Sequence, residues 1–193
     1  MGTEFELKFR ANPNVLQAIA AGLTGDRQRF SMETTYYDNA AGQLSARHWT
    51  LRRRFENSRS VCTLKTPAPD GGRGEFELEC GSIEEAIPEL CKLSSLPELL
   101  SLTADGVVAV CGAKFERLAI TITLPDCTVE VALDEGALFG GDRQIPLCEV
   151  EVELKSGSRN GAIAYAQALA FAYRLEQEHG SKFRRALALA KGE

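Results

Sequence analysis

Two short stretches near opposite ends of the chain, Glu4-Phe5-Glu6-Leu7-Lys8 and Glu149-Val150-Glu151-Val152-Glu153, alternate a charged with an apolar residue. Successive side chains of a β-strand point to opposite faces, so each stretch, as a strand, has one face wholly charged and the other wholly apolar. Carboxylates gathered on one face repel. Two at about 4 Å cost roughly 4 kcal/mol at an effective dielectric near 20. Several such contacts would exceed a folding stability of about 5–15 kcal/mol. The fold must therefore bring water, basic side chains or metal ions among them, and hard oxygen donors suit Mg²⁺ or Mn²⁺.

The chain has 193 residues, about the length of one domain, and 44% of them are hydrophobic, enough for a sizeable core. The whole span 1–193 is read as one domain. A net charge of −5 gives no reason to expect a nucleic-acid or membrane partner, which favours a basic surface. No stretch has the length of a membrane span and no apolar signal segment opens the sequence, so a cytoplasmic protein is expected. The six cysteines form no C-x-x-C pair and only two histidines are present, which argues against zinc.

Strand patterns fall near Glu4–Arg10, Ser31–Asp38, Trp49–Phe55, Val61–Thr66, Glu75–Cys80, Phe115–Leu124, Cys127–Glu135 and Ile145–Leu154. Their short links imply antiparallel pairing. Helices are expected from Asn12-Pro13 to Leu23, from Ser82 to Leu93, across Ala104–Gly112, from Asn160 to His179, and from a Ser181 cap through Lys182–Lys191. In strand register, Glu4, Glu6 and Lys8 share a face. So do Arg52 with Arg54, Thr63 with Lys65, Arg73 with Glu75, Glu77 and Glu79, Glu130 with Asp134, and Glu149 with Glu151 and Glu153. The opposite phase is mostly apolar. An open sheet would leave the charged faces in bulk water, whereas a closed barrel would turn them inward. Arginine forks on some strands and carboxylates on others suit a polyanionic, metal-bound ligand such as a nucleotide or a phosphate chain.

These motifs, in order, resemble the CYTH superfamily of triphosphate tunnel metalloenzymes. Glu4-x-Glu6-x-Lys8 is similar to the family's opening signature, Leu51-Arg52-Arg53-Arg54 to its L-R-x-R element, and Thr63-Leu64-Lys65 to its lysine strand. Arg73-Gly74-Glu75-Phe76-Glu77, Phe115-x-Arg117, Glu130 with Asp134, the acidic strand Cys148–Leu154, and Ser181-Lys182 with Arg185 complete the set. The resemblance implies an α+β fold, an antiparallel eight-stranded closed β-barrel with a charged interior and helices packed outside. The likeness is to the bacterial inorganic triphosphatases, some of which carry a further helical phosphate-binding module, expected to be absent here. Phosphate oxygens would be held by Lys8, Arg52, Arg54, Lys65, Arg73, Arg117, Lys182 and Arg185. Glu4, Glu6, Glu149, Glu151 and Glu153 would hold the metal, Mg²⁺ or Mn²⁺. Glu75, Glu77, Glu130 and Asp134 would serve the attacking water, around a second cation. The expected partner is a small triphosphate, with a homodimer left open. Thiamine triphosphatases and class IV adenylyl cyclases share the superfamily, so an organic triphosphate is the alternative substrate, and passive polyphosphate binding the alternative role.

Overall fold

The computed structural model describes residues 5–67 and 73–193. Glu4 lies outside them. Among the described residues, nine strands form one antiparallel sheet in the order β5-β4-β3-β2-β6-β7-β8-β1-β9. They are β1 (Glu6–Arg10), β2 (Asp26–Asp38), β3 (Thr50–Glu56), β4 (Arg59–Pro67), β5 (Arg73–Glu79), β6 (Val108–Thr123), β7 (Cys127–Gly140), β8 (Arg143–Gly157) and β9 (Glu176–Gln177). The helices are α1 (Pro13–Gly22), α2 (Gln43–Ala46), α3 (Ile83–Ser94), α4 (Glu98–Leu102), α5 (Arg159–Tyr173) and α6 (Lys182–Lys191).

Local sequence explains most boundaries. The Asn12 side chain accepts the Val15 N–H and Pro13 follows as the first helical residue, so α1 starts where a cap and a preset φ coincide. Ser82 and Ser181 cap α3 and α6 in the same way.

Several expectations of the fold are corrected. Among the described residues the sheet has nine strands rather than eight, and hydrogen bonds do not close it: β5 and β9 are its edges. The ninth strand exists because the expected helix to His179 stops at Tyr173, where Arg174 adopts a left-handed φ of 53°. The chain then returns to pair Gln177 with Phe9. The cap is Arg174, where glycine is the more usual left-handed residue. The helix expected over Ala104–Gly112 is instead a turn at Gly106, with φ 91°, leading into β6 at Val108. Pairing with β2 extends that strand well beyond its alternating segment.

The last correction concerns where the helices pack. The apolar face of the sheet is covered in two patches. Ile19, Ala166 and Leu169 of α1 and α5 pack on Ile120, Val131 and Val152. Leu44, Ile83, Leu90 and Leu99 of α2, α3 and α4 pack on Leu51, Cys62 and Leu64. By contrast, α6 lies on the charged face. Its Ala186 and Leu189 meet Met32, Phe115, Leu138 and Leu147. Those four occupy the phase of the charged residues, one or two steps along from Arg117, Asp134 and Glu149. The charged faces thus become apolar at one end, and α6 covers that end. It lies so close that a Cβ on Gly140 would sit 2.3 Å from the Ala186 carbonyl oxygen.

Candidate functional site

Strand register places the expected residues in rows. Across β1, β8 and β7, Glu6 faces Glu153, which faces Glu130. Lys8 faces Glu151 in the next row. In the third, Arg10, Glu149, Asp134 and Arg117 run across β1, β8, β7 and β6. On the other flank, Lys65 faces both Thr50 and Glu75, and Thr63 faces both Arg52 and Glu77. Facing residues of an antiparallel pair lie on the same side, so all these groups share one face.

That face is concave. A cavity of about 360 Å³ is lined by Glu6 and Lys8 of β1 and by Arg73 of β5, from opposite flanks of the sheet. Its walls also carry Arg52, Arg54, Lys65, Arg117, Glu151, Glu153 and Lys182. The flanks therefore face each other across the cavity without pairing. A second cavity of about 560 Å³ shares Arg52, Arg54, Arg117 and Glu153 with the first and adds Glu75, Glu77 and Glu130. A third, of about 960 Å³, shares Thr50, Arg73, Ser181 and Phe183 with the first and adds Arg185. Asp134 and Glu149 line none of the three and are fully buried. Ligand sites commonly occupy about 300–1,000 Å³.

The two flanks differ in electrostatics. On the β7–β8 side, one oxygen each from Asp134, Glu149 and Glu151 lie within 4.8 Å of one another, a donor set that could hold a metal ion. The Lys182 ammonium already sits among them, 2.8 Å from both Asp134 and Glu151 and in contact with Glu149. Arg117 donates to Asp134 through two 2.7 Å bonds and also reaches Glu151, while Arg185 reaches Glu149. Burial pushes Glu149 up to about 7, with Lys182 opposing and the Glu151 charge adding. Burial also disfavours the Glu151 anion, but Lys182, Arg117 and Lys8 outweigh it and hold that carboxyl well below its usual range. Against the cost of burial, Asp134, Glu151 and Glu149 hold the Lys182 ammonium well above its ordinary value.

On the β3 side the charges are alike. Burial, then the neighbouring Arg52 and Arg117 guanidinium groups, pull Arg54 down to about 10. Arg54 remains charged at neutral pH, so three cations crowd one wall. Arg52 Nε is buried with no hydrogen-bond partner among the described residues. Buried donors without acceptors and like charges in contact are both relieved by an anion. Glu75 offsets part of this charge, 3.3 Å from Arg52 and 3.1 Å from Lys65.

One wall residue carried no signal in the sequence. Arg159, the first residue of α5, lines the central cavity with its guanidinium 4.3 Å above the Phe5 ring. It lies beyond the closing strand, outside any alternation. Tyr36 is buried against Phe183 with ring centroids 5.1 Å apart and lines the same cavity. The alternation of β2 does place Tyr36 inward, but only the position of α6 makes it part of this wall.

The antiparallel sheet thus curls around a concave face on which carboxylates pair with guanidinium groups. The CYTH domain family matches residues 2–187, and the chain belongs to that family. The inorganic triphosphatase of Haemophilus influenzae is 27% identical over 188 residues, 94% of this chain and 53% of that protein. The chain thus spans about half the length of this curated relative. Among solved structures, a Hippeastrum protein described as a putative adenylyl cyclase with a dominant triphosphatase activity has a TM-score of 0.61 at 18% identity, over 98% of this chain and 94% of its own. A putative adenylate cyclase of Bacillus halodurans has a TM-score of 0.59 at 15% identity, over 93% and 96% respectively. These two likenesses are of fold. No helix among the described residues is long and apolar enough to cross a membrane.

Proposed function

We propose that the chain hydrolyses inorganic triphosphate to pyrophosphate and phosphate, with Mg²⁺ or Mn²⁺, inside the curled sheet. The observation that carries this reading is the wall of Arg52, Arg54 and Arg117, three guanidinium groups crowded beside a buried donor that has no acceptor. Lys8, Lys65 and Arg73 complete the ring around the same cavity. Such a ring fits a compact ligand with several negative charges, and likeness to the Haemophilus triphosphatase supports an inorganic one.

The residues present fit a divalent cation. Glu6 and Glu153 line the central cavity with hard oxygen donors and would hold it, with Glu151 reaching the same cavity from its contacts to Lys182 and Arg117. Glu149 and Asp134 are committed to Lys182, Arg185 and Arg117 behind the wall, and act by fixing those cations. When bound, the cation supplies neutralisation of charge on the phosphate oxygens. The guanidinium wall holds the chain of phosphates in line and stabilises charge that develops on the leaving group. Glu75, Glu77 and Glu130 line the neighbouring cavity, where a carboxylate can accept the proton of the attacking water.

The test is phosphate release from a substrate panel. With Mg²⁺ or Mn²⁺, tripolyphosphate is expected to give a kcat/KM at least about tenfold above ATP and thiamine triphosphate, a difference of roughly 1.4 kcal/mol in transition-state binding. A chelator should abolish it. No release from tripolyphosphate with either metal would refute the reading, and a cyclic product from ATP would favour the cyclase alternative.

A further inference from the structure

Two of the helices on the apolar side of the sheet carry no charge. Residues 11–23, which include α1, and 160–173, which include α5, contain no Asp, Glu, Lys or Arg, in a chain of which 25% is charged. Leu16 and Ile19 of α1 and Ala162 and Ala166 of α5 join one buried cluster. The helices also meet at their ends, where a Cβ on Gly22 would sit 2.5 Å from the Tyr173 hydroxyl oxygen. Their outward faces, with Gln17 and Ala18 on α1 and Ala164, Gln167, Ala168 and Phe171 on α5, are exposed. A solvated helix face normally carries charge. That holds for α3 on the same side of the sheet, whose Glu84, Glu85, Glu89 and Lys92 are exposed. Charge is instead depleted at the centre of protein–protein contacts. Phe171 stands out of the uncharged face. It is 89% exposed, whereas the next most exposed large hydrophobics, Leu93 and Val108, are at 50%. Beside it lies an open cavity of about 740 Å³ bounded by Ala170, Ala172, Arg174 and Leu175.

From this we infer that two copies of the chain associate through the α1–α5 face, about a two-fold axis near Phe171. A knob and a hollow on one patch are self-complementary, since under a two-fold axis the Phe171 of each copy enters the cavity of the other. A face without charge is self-complementary too, because it sets no like charges against each other. A strongly acidic or basic partner would call for opposite charge here, and the face offers none. The charges nearest Phe171 lie at its rim. Arg174 and Glu176 are of opposite sign and both exposed, so the same axis can set one against the other. The area is sufficient for a weak dimer. The outward half of a helical cylinder about 10 Å wide has an area near 16 Å² per Å of length, so two helices about 15 and 22 Å long present on the order of 600 Å² per copy. Two copies would bury about 1,200 Å², the lower limit of specific interfaces. This association is independent of what the central cavity binds.

Sedimentation equilibrium of the wild type and two variants, from about 5 to 500 µM, is the experiment. The wild type should show a monomer–dimer equilibrium with a dissociation constant on the order of 10–100 µM. That constant should move less than about twofold between roughly 0.05 and 0.5 M salt, because the centre of the contact holds no charge. Phe171→Lys brings two ammonium groups together at the axis and should weaken association at least about tenfold. The position is exposed and lysine suits the last turn of a helix, so this variant should melt within about 2 °C of the wild type. Ala168→Glu, nearly one turn earlier on the same face, should weaken association as much. A wild type that stays monomeric at about 500 µM would overturn the inference, and its binding to phosphatidylcholine vesicles would then assign the face to a lipid surface. Dimers that persist unchanged in both variants, or that added salt dissociates, would overturn it as well.

Discussion

Replacing Arg52 by alanine is expected to lower kcat/KM for tripolyphosphate by about 10²–10³-fold and to leave the fold intact. The magnitude is that of losing one positioned donor to developing charge, roughly 3–4 kcal/mol. Arg52 is suited to that role because, among the described residues, its Nε is buried with no acceptor, and its ion-pair contact to Glu75 is a long 3.3 Å. The absence of a stability cost follows from its neighbours. Arg52 is one of the two charges that depress Arg54, so removing it relieves repulsion between buried cations. Steady-state kinetics beside a thermal melt checks both halves. A variant within threefold of wild-type activity, or one that fails to fold, would require a different anion wall.

Lys182→Met should have the opposite profile, with a large loss of stability. The substitution keeps an unbranched chain of similar length but leaves Asp134, Glu149 and Glu151 without the ammonium that sits among them. Removing one partner from a buried ionic cluster costs about 3–5 kcal/mol. For a chain of this size that is a fall in Tm of roughly 6–20 °C. The deficit depends on pH, and the two glutamates act with opposite sign in the wild type. Glu149, raised to about 7 from 4.5, contributes stability that is complete below pH 4.5 and lost as pH rises through 7. Glu151, held well below 4.5, contributes stability present above 4.5 and lost as pH falls through its depressed value. Without Lys182 both anions become harder to form. The variant's deficit should therefore be greatest above pH 7 and narrow below 4.5. Melting curves across that range provide the check, and a deficit independent of pH would mean that the three carboxylates are not what Lys182 stabilises.

The charged face was legible because strand alternation has a period of two and leaves little freedom. Once Glu149, Glu151 and Glu153 are a strand, they share a side, and the same holds for Arg52 with Arg54 and for Glu130 with Asp134. Curvature toward a common cavity was also foreseeable, since repulsion among these groups demands basic neighbours. Closure was not, because whether β5 meets β9 depends on long-range geometry that no local pattern encodes. The position of α6 was misjudged for a specific reason. Leu138 and Leu147 continue the phases of Asp134 and Glu149, and the change from charge to hydrophobe along one face is the binding site for that helix. The same cause separates the acidic residues into two groups. Asp134 and Glu149 look equivalent to Glu130 and Glu153 in the sequence, but α6 brings Lys182 and Arg185 onto the first pair and leaves the second lining open cavities.

The most direct test is diffraction from crystals grown with Mn²⁺ and tripolyphosphate, collected at the manganese absorption edge. The phosphate chain should lie along Arg52, Arg54 and Arg117, with an anomalous peak between Glu6 and Glu153 on the concave side of the sheet. An empty cavity, with manganese and phosphate bound only on the outer surface, would contradict the claim that this face is the site.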